Sequence, residues 1–258
     1  MSPDPARPGR ARFGLARFRG PIRRVGRPVV ERATALIGSL IAVRTRAPEV
    51  VLTFDDGPDP TGTEEVLAAL AEHGATATFF VLLTRVRQHP ELLRRILAAG
   101  HEVGLHGVDH QPLPRFDAEA TRQRTADAAR ELTELTGRQL RWFRPPYGRQ
   151  TLANWRGIRA AGLSPVFWGP TTWDWRDLPQ QQRVAKAMEG ARPGAILLGH
   201  DGFAAVADGA DADVTHTLDR HDLIGQVLDR YRAKGWRGVS LGRALESGRP
   251  IIAGRFSR

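Results

Sequence analysis

From residue 47 onward, short runs of consecutive apolar residues alternate with longer stretches whose apolar positions recur every three to four residues. The short runs predict strands at 50–55, 76–82, 102–106, 141–144, 164–168, 195–199 and 237–241. Helical periodicity falls between them, near 62–73, 90–99, 117–136, 151–161, 180–189 and 219–234. Strands separated by helices in this way argue for a parallel sheet of βα units. Seven such strands in about 200 residues predict an α/β fold, a distorted (β/α)7–8 barrel with its functional residues at the C-terminal ends of the strands. An open doubly wound sheet is the competing arrangement. Upstream, Val29, Val30, Ala33, Leu36, Ile37, Leu40 and Ile41 share one face at helical spacing, which predicts an amphipathic helix over 29–46. The domain then runs over 47–245, and residues 246–258 read as a basic tail.

Charge alters this picture at one end only. The net charge is +10, but residues 1–46 hold eleven arginines against Asp4 and Glu31, a balance of +9, which leaves +1 for the other 212 residues. A nearly neutral body argues against a nucleic-acid partner. Residues 1–28 are rich in Pro, Gly and Arg and read as a disordered tail. With the 29–46 helix they could touch a membrane surface or an anionic polymer, although that helix is too short and too charged to span a bilayer. Arg23 and Arg24 precede an apolar run without an Ala-x-Ala cleavage site, so a cytoplasmic or peripheral membrane location is expected, with the cell envelope or secretion as alternatives. Cysteine is absent, so disulfides and thiolate sites are excluded, and any metal must be held by His, Asp or Glu.

The strand ends carry the candidate chemistry. Asp55 and Asp56 follow the first strand, His106 and His110 the third, Arg144 and Tyr147 the fourth, Asp174 and Trp175 the fifth, and His200 with Asp201 the sixth. Adjacent aspartates cannot both face a site from a regular strand, because successive side chains alternate. They must lie where the strand gives way to the Gly57-Pro58 turn, one carboxylate free to bind a cation and the other to move protons. His106 and His110, four residues apart, would share one face of a helical turn. Joined by a carboxylate they form a two-His, one-carboxylate set with open coordination positions, suited to catalytic Zn²⁺ and also to Co, Ni, Fe or Mn.

The segments 53–58 (Thr-Phe-Asp-Asp-Gly-Pro), 106–110 (His-x-x-x-His), 144–148 (Arg-Pro-Pro-Tyr-Gly), Asp174-Trp175 and 198–200 (Leu-Gly-His) resemble, in order, the five motifs of polysaccharide deacetylases, the family-four carbohydrate esterases. The resemblance covers residues 48–245 and implies a metal-dependent hydrolase acting on the N-acetyl groups of a glycan. By it, Asp56, His106 and His110 would hold the metal, Asp55 would be the general base and Arg144 would hold Asp55 ionised. His200 would be the general acid, with Asp174 raising its pKa. The backbone N–H of Tyr147 would face the oxyanion, and Trp175 and Leu198 would enclose the acetyl methyl. Trp173 either faces a sugar ring or packs under its loop.

This chain departs from the motifs twice. Gly107 replaces the usual Ser or Thr after the first histidine, which questions what braces the loop carrying His110. Asp177 competes with Asp174 in the compressed fourth motif. The expected substrate is an N-acetylglucosamine-containing glycan, as in peptidoglycan, a chitin-like oligomer or a surface polysaccharide. The alternatives are another acyl group (O-acetyl xylan, a formylated lipid-linked sugar or a small amide) or an inactive glycan-binding, envelope-tethered module.

Overall fold

The computed structural model describes residues 37–257. Nine strands alternate with eight helices among them. The chain begins with β1 (Ser39–Arg44) and β2 (Glu49–Asp55), then α1 (Gly62–Glu72), β3 (Thr78–Leu82), α2 (Leu83–Gln88), α3 (Pro90–Ala98) and β4 (Glu102–Gly107). It continues through α4 (Ala118–Thr136), β5 (Trp142–Phe143), α5 (Leu152–Ala160), β6 (Ser164–Pro165), α6 (Gln180–Met188) and β7 (Ile196–His200). The last elements are α7 (Arg220–Ala233), β8 (Arg237–Val239), α8 (Leu241–Ser247) and β9 (Arg249–Ala253). None of these helices is long and apolar enough to cross a membrane.

The central sheet is parallel throughout, in the order β6-β5-β4-β3-β2-β7, with β8 also on β2. β2 is buried along its whole length, as befits a strand covered on both faces. The gap between β6 and β7 is bridged by the segment that follows β6. Gly169 N–H donates to Ile196 O, Leu198 N–H to Pro170 O, and Thr172 N–H to Leu198 O, each at 3.0 Å. The sheet thereby closes into a distorted barrel, as the alternation of strands and helices implied.

Strand alternation divides the core in two. Leu52, Phe54, Phe79, Val81, Phe143 and Leu197 face the surrounding helices, whereas Val51, Phe80, Trp142, Val166 and Ile196 fill the barrel. Continuing the inward period brings Thr53 and Asp55, Gly104 and His106, Arg144, and Leu198 and His200 towards the upper end of the same interior. Gly104 makes the room this layer needs, since a Cβ there would come within 2.7 Å of the Phe80 ring.

Two expectations fail at the chain ends. Within the helix expected over 29–46, residues 39–44 form β1; residues 29–36 and the tail 1–28 lie outside the described residues. β1 pairs antiparallel with β9, which occupies part of the tail expected at 246–258. Apolar positions recurring at helical spacing concealed a strand because its partner lies some two hundred residues away, and local periodicity cannot register such a pairing. β1 is also tied into the barrel gap, where Phe167 N–H donates to Leu40 O (2.7 Å) and Val43 N–H to Gly194 O (2.8 Å). Gly194 has φ +79°, and a Cβ there would collide with the Val43 carbonyl. Gly194→Ala should therefore cost about 1–3 kcal/mol, seen as a lower midpoint in chemical denaturation. An unchanged midpoint would mean that β1 does not contribute to the fold.

Candidate active site

Asp55, the last residue of β2, lies opposite Phe80 of β3 and His200 of β7. Its Oδ1 accepts from Arg144 Nη1 at 2.7 Å, and the same nitrogen donates to Thr53 Oγ1 at 2.8 Å. Arg144 is wholly buried, and its guanidinium lies 4.2 Å from the centre of the Phe80 ring. Burial lowers its pKa, and the carboxylate of Asp55 opposes that fall. A buried guanidinium without a counter-charge would be costly, so the pair fixes the Asp55 carboxyl and the Arg144 side chain in one geometry.

Asp56 reaches the interior by a backbone device. Its φ of +74° turns the chain out of the strand, so a residue that the strand period would direct outward brings its carboxylate back towards the mouth. Asp56 Oδ1 stands 3.2 Å from His106 Nε2 and 3.3 Å from His110 Nε2. These three residues are buried, and their ligand atoms lie within 4.8 Å of one another. His106 Nδ1 is 2.8 Å from the carbonyl of Arg144, which can only accept, so Nδ1 carries a proton and Nε2 is the nitrogen turned towards Asp56. Asp56 Oδ1 is buried without a hydrogen-bond donor, while Oδ2 accepts from Ala204 N–H at 3.1 Å. Burial opposes the charge on Asp56, but the neighbouring histidines outweigh it and hold its carboxyl well below the usual range. Burial likewise pushes His110 down to about 4, leaving a neutral imidazole. An ionised oxygen lacking a donor and two imidazole nitrogens are a fitting donor set for a divalent cation.

The histidines do not share a helical turn as their spacing suggested. His106 belongs to β4, and His110 sits in the bend that follows. Gly107, at φ +154°, makes the change of direction, and a Cβ there would come within 2.6 Å of Asp109 O. This backbone excludes the hydroxyl residue of the motif. The loop is braced by other groups: Arg124 Nη2 grips both oxygens of Asp109 at 3.0 and 2.9 Å, and His110 N–H donates to Asp208 O at 2.7 Å.

On the opposite wall, the His200 N–H donates to Asp174 Oδ2 at 2.7 Å, and its Nδ1 is 2.8 Å from Asp174 Oδ1. Burial would lower the His200 pKa, yet the Asp174 charge and hydrogen bond prevail and raise it to about 9. Asp174 is buried, whereas Asp177 is exposed. Trp175 stands edge-on to His200 with ring centres 5.4 Å apart, and Leu198 is buried one strand period below it. Trp173 packs its ring against Lys186 Nζ (3.8 Å) and the Arg176 guanidinium (4.1 Å). Tyr147, at φ +57°, lays its ring against His110 at 4.3 Å, and its hydroxyl accepts from Asp211 N–H at 2.7 Å. All of these except Asp177 and Trp173 gather around one cleft of about 420 Å³ or its immediate supports.

Two supporting elements complete the site: Asp201, named at the sixth strand end without a role, and Arg85, which had escaped notice in the sequence. Asp201 is buried beneath Gly57, accepting from its N–H at 3.2 Å and from Thr63 Oγ1 at 2.6 Å, and burial pushes it up to about 7. A Cβ on Gly57 would collide with this carboxylate, which is why the aspartate pair is followed by glycine. Arg85 donates from Nε and Nη2 to Asp208 Oδ2 (3.0 and 2.8 Å) and from Nη2 to Phe203 O (2.6 Å). It thus fixes the segment that presents Ala204 N–H to Asp56 and Asp208 O to His110. The signal was available: the end of β3 was the one early strand end left without a polar candidate, and Arg85 lies three residues beyond it.

Comparison with known proteins places this geometry. A family model described as Polysaccharide deacetylase matches residues 42–166. The chain is 38% identical over 188 residues to a chitooligosaccharide deacetylase of Bradyrhizobium sp. (strain ANU 289), covering 72% of this chain and 86% of that one. It is 35% identical over 166 residues to the peptidoglycan-N-acetylglucosamine deacetylase PgdA of Listeria monocytogenes, covering 64% of this chain and 35% of that protein. A solved structure of T48 deacetylase with substrate superposes at a TM-score of 0.66 and 28% identity, over 83% of this chain and 97% of that one.

The Arg85 clamp leads to a measurement of metal affinity. Arg85→Ala should weaken Zn²⁺ binding about 10–100-fold in chelator competition, the range for groups that orient ligands, with Arg85→Lys in between. Affinity equal to wild type would show that the segment holds its position without the clamp.

Proposed function

The chain belongs to the polysaccharide deacetylase family, and on that premise we propose that it hydrolyses the N-acetyl groups of an N-acetylglucosamine-containing glycan. The observation that carries this is the meeting, at one barrel mouth, of Asp55 paired with Arg144, a buried Asp56-His106-His110 triad and a His200 kept protonated by Asp174. The two curated relatives named above act on chitooligosaccharide and on peptidoglycan, which supports a glycan of this class as substrate.

Asp56, His106 and His110 would hold the cation, and the nitrogen-rich donor set favours Zn²⁺. When bound, such a cation lowers the pKa of a coordinated water towards ~7 and polarises an acyl carbonyl. Asp55 takes the proton of the attacking water, oriented for it by the hydrogen bond from Arg144. Arg144 therefore acts through Asp55. His200 donates a proton to the amine nitrogen as the carbon–nitrogen bond breaks. Asp174, accepting from both the backbone and the ring of His200, fixes which nitrogen faces the cleft and favours the charged imidazolium. The Tyr147 backbone N–H serves the developing oxyanion; its left-handed conformation, held by the Asp211 contact, supports that role. Trp175 and Leu198 line the cleft beside His200 with apolar surface, which suits the methyl of an acetyl group.

Asp55→Asn should lower kcat at least about a hundredfold while Zn²⁺ content stays at one per chain; retained turnover would sink the assignment of the base. The acid predicts a pH dependence. A group raised to about 9 keeps its proton through neutrality and loses it as pH rises through that value, so activity should fall on the alkaline side. In Asp174→Asn the raising charge is gone, and the alkaline limb of kcat/KM should move to lower pH, towards ~6.5. A limb that stays in place would transfer the acid role from His200. Acetate and formate measured on N-acetylglucosamine oligomers, acetylated xylan and formylated sugars would decide the acyl group.

A further inference from the structure

Beside the cleft lies a second groove of about 320 Å³, walled by Tyr147, Gly148, Phe167 and Trp168 on one side and by Arg255, Phe256 and Ser257 on the other. Tyr147, Gly148 and Trp168 line both spaces, so a molecule held at the metal triad can extend into the groove without leaving the protein surface. Gly148 keeps the passage open: it has φ +62°, and a Cβ there would come within 2.7 Å of Trp168 Cη2.

The far wall is the segment expected to be a tail. It is anchored by Gln150, a fully buried side chain whose Nε2 donates to Arg255 O at 2.9 Å and to Ser39 Oγ at 2.7 Å. Ser257 N–H returns a bond to Gln150 O at 2.7 Å. Trp155 supports Phe256 edge-on, with ring centres 6.5 Å apart, yet Phe256 stays 39% exposed, as does Tyr147. Arg255 is the one charged side chain on the groove walls, and among the described residues it has no ion-pair partner.

Exposed aromatic faces and a guanidinium that, among the described residues, meets no carboxylate suit a pyranose ring. The axial C–H face of a sugar packs on an aromatic ring, and its hydroxyl or amide oxygens accept from the guanidinium. Trp173 is not a rival platform, since Lys186 and Arg176 cover its ring. We propose that this groove is the subsite for the sugar residue adjoining the one deacetylated, with Phe256 as its stacking platform and Arg255 as its hydrogen-bond donor. The proposal rests on the deacetylase reading above and adds that this chain reads at least two consecutive sugars, the second with its C-terminal strand extension.

The test compares substrates of different length. For the tetramer of β-1,4-linked N-acetylglucosamine, Phe256→Ala should raise KM roughly three- to tenfold, the factor one lost aromatic contact corresponds to, with kcat unchanged. Arg255→Ala should act in the same direction, Phe256→Trp should restore the wild-type KM, and a small aryl acetate should be cleaved equally by all. If wild type releases acetate but Phe256→Ala leaves the tetramer KM unchanged, the subsite is overturned and the deacetylase reading stands. If wild type releases no acetate from any length, that reading fails instead. Calorimetry of the tetramer with Asp55→Asn, with and without Phe256→Ala, then decides the groove independently: weaker binding in the double variant supports it, and equal binding overturns it.

Discussion

The buried ion pair between Asp55 and Arg144 is the interaction on which the site depends. It fixes more than the two charges. Arg144 N–H donates to Leu105 O and its carbonyl receives His106 Nδ1, so one residue registers β5 on β4, orients a histidine ring and pairs with a carboxylate. Pairs of this kind add little net stability, because removing two charges from water costs about what their attraction returns. What this one contributes is order. Phe80 lies flat under the guanidinium and Gly104 stays small to admit Phe80, so the charge is seated on a packed layer of the barrel interior. The functional layer is the next inward step of the same strands that build the core.

A strand period alone could not assemble this site, because it brings only every second residue inward. The described residues contain three non-glycine positions at positive φ, Asp56, Tyr147 and Trp173; the first two lie within the motifs and the third directly precedes one. Asp56 turns so that its carboxylate joins Asp55 on the same side. Tyr147 turns after two prolines and faces His110, while Trp173 turns immediately before Asp174 and delivers it to His200. Each such residue costs of order 1–3 kcal/mol and persists only where its surroundings hold it. Here they do so through Asp201 under Gly57, Asp211 on the tyrosine hydroxyl, and two cations on the Trp173 ring.

Much of this was legible because it obeys local rules. Strands β2 to β8 and most helices follow apolar periodicity, and the strand-end rule located Asp55, His106, Arg144 and His200 before any geometry was known. The rest was hidden for physical reasons. β1 and β9 become strands only by pairing with each other across the length of the domain. His106 and His110 have helical spacing, but Gly107 at the end of β4 bends the chain out of both strand and helix. Asp208 lies 123 residues from Arg85, and a contact at that distance leaves no trace in the sequence pattern of either.

The segment 203–214 is where these long-range contacts converge, and its position joins two duties. Its first half holds two residues of the buried triad: Ala204 N–H is on Asp56 and Asp208 O on His110, with Arg85 locking both. Its second half lines the cleft with Ala210, Asp211 and Val214 and meets Tyr147 through the Asp211 N–H. A glycan pressing on that wall therefore pushes on the backbone that positions Asp56, His110 and Tyr147. In a packed structure such contacts shift together or not at all. Substrate fit and ligand geometry are thus properties of one segment, so a change of glycan preference made in 210–214 must also preserve the Arg85-Asp208 anchor that keeps the triad assembled.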